Sequence, residues 1–347
     1  MPAGPGAWSL WALLLMATAI RVVAADDLSP ARAAPGPAPQ DPGGDAGSAP
    51  AAGVVQEVEV VGEHAGPRLW RVSKGDHVVW VLGTLDPLPR RMTWRSREVE
   101  SVLAQAQEVL PSVVSLSASL GPISAIRLYL QWRRTQKMPE AGHLRDRIAP
   151  ALYARFAALK ARYAPHDSRL EELRPLFAAR RLYDDAMEAS GLTSRNDIQQ
   201  TVLGMARRRG VPIHANKVHI EDPREVLNEV GDIPAAAETA CLQATVSRLE
   251  TDLAPMAARA RDWSVGDVAG IRALPFPHQR EVCLDTIMDA PEVRTLIARA
   301  LADWDMAFDD ALAHNRTTLA MRPIRELLGP QGLLAQWQAK GYVVEGP

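Results

Sequence analysis

Residues 69–110, LWRVSKGDHVVWVLGTLDPLPRRMTWRSREVESVLAQAQEVL, decide the fold. Val78 to Leu82 is a short β-branched and aromatic run, and the Lys74-Gly75-Asp76 turn separates it from the Leu69 to Val72 run before it. Two such runs bounded by turn residues read as strands. Gly83-Thr84 ends the second, Pro87 and Pro89 forbid an early helix, and an amphipathic helix is expected from near Thr93. A loop that leaves a strand and leads into a helix is where α/β proteins place their chemistry. Gly83, Thr84 and Asp86 therefore occupy the place where function is expected.

Outward from this stretch, the chain divides into three parts. Ala7 to Ile20 is an apolar run of about 14 residues, too short to span a bilayer comfortably and suited to a signal-peptide core. Val23-Ala24-Ala25 supplies small residues for cleavage, so residues 1–25 read as a signal peptide, with an uncleaved anchor as the alternative. Residues 26–53 are a Pro/Ala/Gly tract that cannot bury enough surface to offset its ordering entropy, and read as a disordered linker. Residues 54–347 read as the folded domain, opening on an edge strand from Val54 to Val61. The expected location is periplasmic or secreted, with no transmembrane helix once the signal is removed. Composition sets one further bound. With 39 Lys and Arg against 41 Asp and Glu, the net charge of −2 lacks the basic excess of a nucleic-acid binder.

Beyond Val109 helix dominates. Val109 to Leu116 is an edge strand or a bulge because Pro111 interrupts it. Helices are expected over Ile123 to Lys137, Ala149 to Ala164 and Pro175 to Ala189, with stops at Pro139, Pro165 and Gly191. Ser194-x-x-Asp197 is a capping box opening a helix that ends at Gly210, which places Arg207-Arg208-Arg209 where they complement the macrodipole. Val211 to Ile213 reads as a strand. Ala235 to Arg261 reads as one long helix, bent at Pro255, and Ser264-x-x-Asp267 as the cap of the next. Pro291 to Asn315, Ile324 to Leu328 and Gln331 to Lys340 are the closing helices, and Tyr342 to Val344 a closing strand.

Three groups of residues resemble the TraB/GumN family, which includes pheromone-shutdown proteins, GumN and the TIKI metalloproteases. The first is Leu69-Trp70-Arg71-Val72, the strand after it, Gly83-Thr84-Leu85-Asp86 and Leu88-Pro89. The second is Trp263-x-x-Gly266-Asp267. The third is Gly329-Pro330-Gln331-Gly332-Leu333-Leu334 with Lys340-Gly341-Tyr342-Val343-Val344. The resemblance implies an α/β (α+β) domain: a small mixed sheet formed by the N- and C-terminal parts, with a large helical insertion. It also implies a divalent-metal site built on two Gly-x-x-His motifs. Here the first motif has Asp86 in place of histidine, and the second corresponds to Met321-Arg322-Pro323-Ile324-Arg325, which has neither residue. An acidic residue expected between Val109 and Met138 is missing, and His214-Ala215-Asn216-Lys217 stands where an acidic motif is expected. His314-Asn315-Arg316 is the counterpart of the family's Arg-Asn pair.

A catalytic divalent site wants about three His, Asp or Glu ligands and an open position for water. The metal candidates are Asp86, His214 and His219; Asp86 has a turn or loop-capping role as its alternative. His214 and His219, beside Glu221 and Asp222, would put their rings on opposite faces of an extended segment, which fits a surface loop. Asp303, Asp305, Asp309 and Asp310 share a helix and read as a solvated face, and no Gly-x-Ser-x-Gly surrounds any serine. The catalytic candidates are Asp86, His314 and Arg316. Cys241 and Cys283, the two cysteines of an exported chain, are expected to form a disulfide, with two buried thiols as the alternative.

The losses fall together at the motif positions. They point to an exported TraB/GumN-like protein with a degenerate, non-catalytic site that binds a ligand or a cell-envelope partner, without a required cofactor. A divergent metal-dependent hydrolase or peptidase, and a structural interaction module, are the alternatives.

Overall fold

The computed structural model describes residues 66–347 apart from 91, 113–114, 140–141, 194–196, 275, 277–278 and 289. The signal peptide, the linker, the Val54 to Val61 strand and the Ser194 cap lie outside these residues. Strands β1 (Leu69–Lys74) and β2 (His77–Thr84) form the hairpin that the turn at Gly75 requires; they pair antiparallel from Leu69↔Leu82 to Lys74↔His77. β8 (Thr317–Pro323) lies parallel to β2, from Val78↔Thr317 to Thr84↔Pro323, and β4 (Glu108–Leu110) lies parallel to β8. β9 (Val343–Glu345) closes the edge against β1, giving the order β4-β8-β2-β1-β9. The two ends of the chain thus build one mixed five-stranded sheet, as the fold reading expects.

Two small pairings flank it. β3 (Leu88–Pro89) pairs with β6 (Leu192–Thr193), and β5 (Ser115–Ser117) with β7 (Lys217–His219). The helices are α1 (Arg97–Leu103), α2 (Pro122–Thr135), α3 (Pro150–Tyr163), α4 (Pro175–Ala189), α5 (Asp197–Arg209), α6 (Pro223–Gly231), α7 (Ala235–Thr251), α8 (Leu253–Val265), α9 (Val268–Ala273), α10 (Gln279–Met288), α11 (Pro291–His314), α12 (Ile324–Leu327) and α13 (Leu333–Ala339). Proline opens α2, α3, α4, α6 and α11 at the first turn, where the missing N–H has no intrahelical partner to lose.

Four local expectations are corrected. The helix expected from Thr93 begins at Arg97, because Trp94 is committed edge-on to the Trp263 ring at 5.7 Å. The single helix expected from Ala235 to Arg261 is two, divided at Asp252 rather than bent at Pro255. Proline at 255 removes one donor and crowds the carbonyl four residues earlier, so the break falls on the turn before it. Val211 to Ile213 makes one bridge, Ile213 to Val109, since Pro212 has no N–H with which to extend a ladder. Asp267, rather than Ser264, caps α9: its Oδ1 accepts from Gly270 N at 2.8 Å, while Ser264 Oγ donates to Arg261 O.

Two cores result. One packs the sheet against α1, α5 and the C-terminal helices around Val79, Val81, Leu82 and Leu319; the other packs α3, α4, α7 and α10 around Phe156, Leu182 and Leu242. α11 joins them. Val293, Leu296 and Ile297 belong to the helical core, and Trp304, Phe308 and Leu312 to the sheet core. The disulfide Cys241–Cys283 forms as expected, tying α7 to α10 inside the helical core.

Candidate functional site

The carboxyl ends of the parallel strands β2 and β8 lie side by side, with Gly83 opposite Arg322 and Thr84 opposite Pro323. Open α/β sheets present ligands at this end. Gly83 is required here by space: a Cβ would come within 2.8 Å of Trp70 Cζ3 and 3.1 Å of Ile324 Cγ1. Its carbonyl accepts from the buried Trp263 Nε1 at 2.6 Å, so the first two groups of family-like residues meet. Gly266, three residues past the last-turn Trp263, adopts φ +75° and closes α8 with a left-handed residue.

Three residues beyond Gly83 stands Asp86, and three beyond Arg322 stands Arg325. A carboxylate and a guanidinium thus occupy the two matched positions, and both are half-buried. Around them the helices deliver more guanidiniums. Arg259 on α8 places Nη2 2.7 Å from both oxygens of Asp252, and Arg248 on α7 reaches Asp252 Oδ2 at 3.4 Å. Arg248 also donates to Gln279 Oε1 at 2.8 Å and lies over the Tyr183 ring at 5.1 Å. Arg259 and Arg325 both cover Phe276, at 5.0 and 5.7 Å. Arg322, buried to 4 % exposure, stacks on Trp304 at 4.4 Å and pairs with Glu326 at 3.3 Å.

Charge in this corner is strongly felt. Burial, then the guanidiniums of Arg280 and Arg248, push Arg325 down to about 9. Burial likewise lowers Arg280, with Glu326 and Asp86 opposing it. Burial raises the Tyr183 hydroxyl, which also senses Arg248 and Asp86. Thr84 Oγ1 and Arg322 Nε are buried here without a hydrogen-bond partner.

The divalent metal implied by the family resemblance does not fit these residues. Of its donors only Asp86 is in place, and the Arg280 guanidinium senses its charge. Among the described residues no three His, Cys, Asp or Glu side chains gather as a ligand set.

The other sequence candidates lie elsewhere. His314 ends α11 at the opposite end of β8, about 20 Å from Arg322 at roughly 3.3 Å per strand residue. It is exposed, with Nδ1 2.9 Å from Asp310 Oδ1. Arg316 is exposed too, and its backbone N donates to Gln107 Oε1. His214 sits at that same far end between Glu108 (3.4 Å) and Asp303 (3.7 Å), while His219, on β7, approaches Ser117 Oγ. Of the candidates, Asp86 alone joins the strand-end cluster.

The arginines were not singled out by sequence reasoning. A signal existed: Arg248, Asp252 and Arg259, spaced by four and seven, mark one helical face running on across the α7–α8 break. A separate cavity of about 450 Å³ lies between α2, α4 and the start of α7, lined in part by Arg134, Lys137, Arg147 and Arg174. Its buried Glu238 faces Arg174 Nη2 at 2.8 Å.

Comparison with curated proteins and with solved structures gives no match. The TraB/PrgY/gumN family model matches residues 68–346, a range that runs from the first strand to the last and takes in both paired strand ends. On that match the chain belongs to the TraB/PrgY/gumN family.

Proposed function

We propose that this protein is an exported, non-catalytic member of its family that binds a small ligand at the carboxyl ends of β2 and β8. The observation that carries this reading is the pair Asp86 and Arg325, standing at matched positions beyond Gly83 and Arg322. A carboxylate beside a guanidinium is a poor metal ligand, because the neighbouring positive charge repels a cation. The same side chains are well suited to fixing a ligand by charge and hydrogen bonds. Export is supported by the apolar run at residues 7–20 and by the Cys241–Cys283 disulfide. Among the described residues no helix is long and apolar enough to cross a membrane.

The test is hydrolysis of unstructured peptides and simple esters, with and without Mn²⁺, Zn²⁺ or Co²⁺. Wild type and Asp86→Asn should give the same background rate; turnover abolished by Asp86→Asn contradicts the reading. N-terminal sequencing of the mature chain tests export, with cleavage after Ala25 expected.

The hydrolase alternative has one observation in its favour, the His214 ring held between Glu108 and Asp303. That group lies at the amino end of the parallel strands, away from the end where such sheets bind ligands. Loss of turnover in His214→Gln, with Asp86→Asn unaffected, would favour it.

A further inference from the structure

The two sides of α2 differ in character. Ala125, Leu128, Trp132 and Thr135, spaced by three or four, are half-buried and form its inner face. Trp132 stands edge-on to Phe177 at 5.4 Å and packs on the helical core, and Gln131 donates to Asn228 of α6 at 2.8 Å. No residue of the helix is fully buried, so α2 lies outermost here. The opposite face carries Ile123, Ile126 and Leu130 at the i, i+3, i+7 positions of one stripe, with Tyr129 beside them. Exposed by 42 % to 67 %, they are four of the six large apolar side chains left exposed among the described residues. Met306 and Val343 stand singly on other elements, as ordinary surface residues do. Four on one helix make a contiguous patch, which marks an interaction surface.

Charge around the patch has one sign. At about 100° per residue, Arg127 and Arg134 fall along one flank of the stripe and Arg133 along the other. All three are exposed, and none makes an ion pair among the described residues. Neither α2 nor any position from Val109 to Met138 is an Asp or Glu. Glu225 and Glu229 belong to α6, the helix against the inner face, and Glu229 accepts from Glu292 N at 2.7 Å. A second copy fits this face poorly, because two such helices laid together would oppose arginine to arginine with no carboxylate between them. A protein partner would need an acidic groove shaped to a convex helix; a lipid surface needs only negative charge and a yielding apolar boundary.

We infer that the outer face of α2 docks this protein on an anionic lipid surface. Ile123, Ile126 and Leu130 enter the acyl boundary, and Arg127, Arg133 and Arg134 meet the headgroup phosphates with their stems along the stripe. Tyr129 takes the interfacial level that its ring and hydroxyl favour. The helix lies along the membrane and does not cross it: its 14 residues span about 21 Å against a hydrocarbon core of about 30 Å.

Co-sedimentation of the full chain with phosphatidylcholine vesicles, and with vesicles that also contain phosphatidylglycerol, tests this. Binding should be about tenfold or more tighter to the anionic vesicles and weaken as salt rises. Hydrogen exchange of α2 should slow on those vesicles, which distinguishes its contact from any made by the apolar run at residues 7–20. Ile126→Glu with Leu130→Glu should weaken binding about tenfold or more, and Arg127→Gln with Arg133→Gln should abolish the preference for anionic vesicles. Without vesicles, both variants should match wild type in circular dichroism and melting temperature. If the glutamate pair does not fold, Ile126→Ser with Leu130→Ser carries the comparison beside wild-type exchange. Equal binding to both kinds of vesicle, unchanged exchange at α2, or binding indifferent to these substitutions overturns the inference. A dimer dissolved by Ile126→Glu with Leu130→Glu places a second copy on this face and overturns it as well. So does a melting temperature lowered by that pair without vesicles, which shows the chain covering the face itself. Capture of polyglutamate with no binding to vesicles points to an acidic protein partner and also overturns it.

Discussion

Gly83 is where the sheet, the site and the helical insertion touch. Trp70 and Ile324 close on it from two sides, and Trp263 from the insertion donates to its carbonyl. Gly83→Ala should lower stability by about 1–3 kcal/mol, the usual range for overpacking a filled interior, seen as a lower denaturant midpoint. Trp263→Phe keeps most of the ring but leaves the Gly83 carbonyl without this donor, so a loss of about 1–3 kcal/mol is expected in the same measurement. Glu238 gives a residue-scale pH prediction. Burial raises its carboxyl from 4.5 to about 7, with Arg174 pulling the other way. Between those values the folded chain holds a proton that the unfolded chain has released, so stability falls as pH rises through this window and levels above it. The span corresponds to about 3 kcal/mol at roughly 1.36 kcal/mol per pH unit. Denaturant unfolding of wild type and Glu238→Gln across the window should show that slope only in wild type.

At the scale of elements, the disulfide between α7 and α10 fixes the two helices that carry Arg248 and Arg280. Removing it frees a loop of 42 residues in the unfolded chain, a loss of about 4 kcal/mol on the chain-entropy estimate. Cys241→Ser with Cys283→Ser should therefore lower the melting temperature. The helices were legible in the sequence because each carries its own punctuation: proline at the start and glycine or proline after the end. The sheet hairpin was legible for the same reason, through Gly75 and the β-branched runs. Boundaries failed where a distant contact overrode the local pattern, as at Trp94, or where proline acted a turn earlier than its own position, as at Pro255. The strand-end cluster was half legible. Asp86 stands in a motif and could be found, whereas Arg259 and Arg280 come from separate helices and meet only when the chain folds. His314 and Arg316 lie close to β8 in sequence, but at the end opposite Arg322.

Over the whole molecule, α11 passes from the helical core to the sheet core, about 36 Å at 1.5 Å per residue, and holds the two as one body. The strand ends of β2 and β8 open toward the helices that bring the arginines, so the proposed ligand site belongs to the junction of the cores. Gly83, Trp263 and Gly266 serve packing and helix closure at this junction. The central claim is that the positions of Asp86 and Arg325 do not grip a cation. Elemental analysis of the full-length protein, loaded with Mn²⁺ or Zn²⁺ and then dialysed, tests it most directly. The account predicts far less than one equivalent of either metal, unchanged by Asp86→Ala; one tightly retained equivalent that disappears in Asp86→Ala would contradict it.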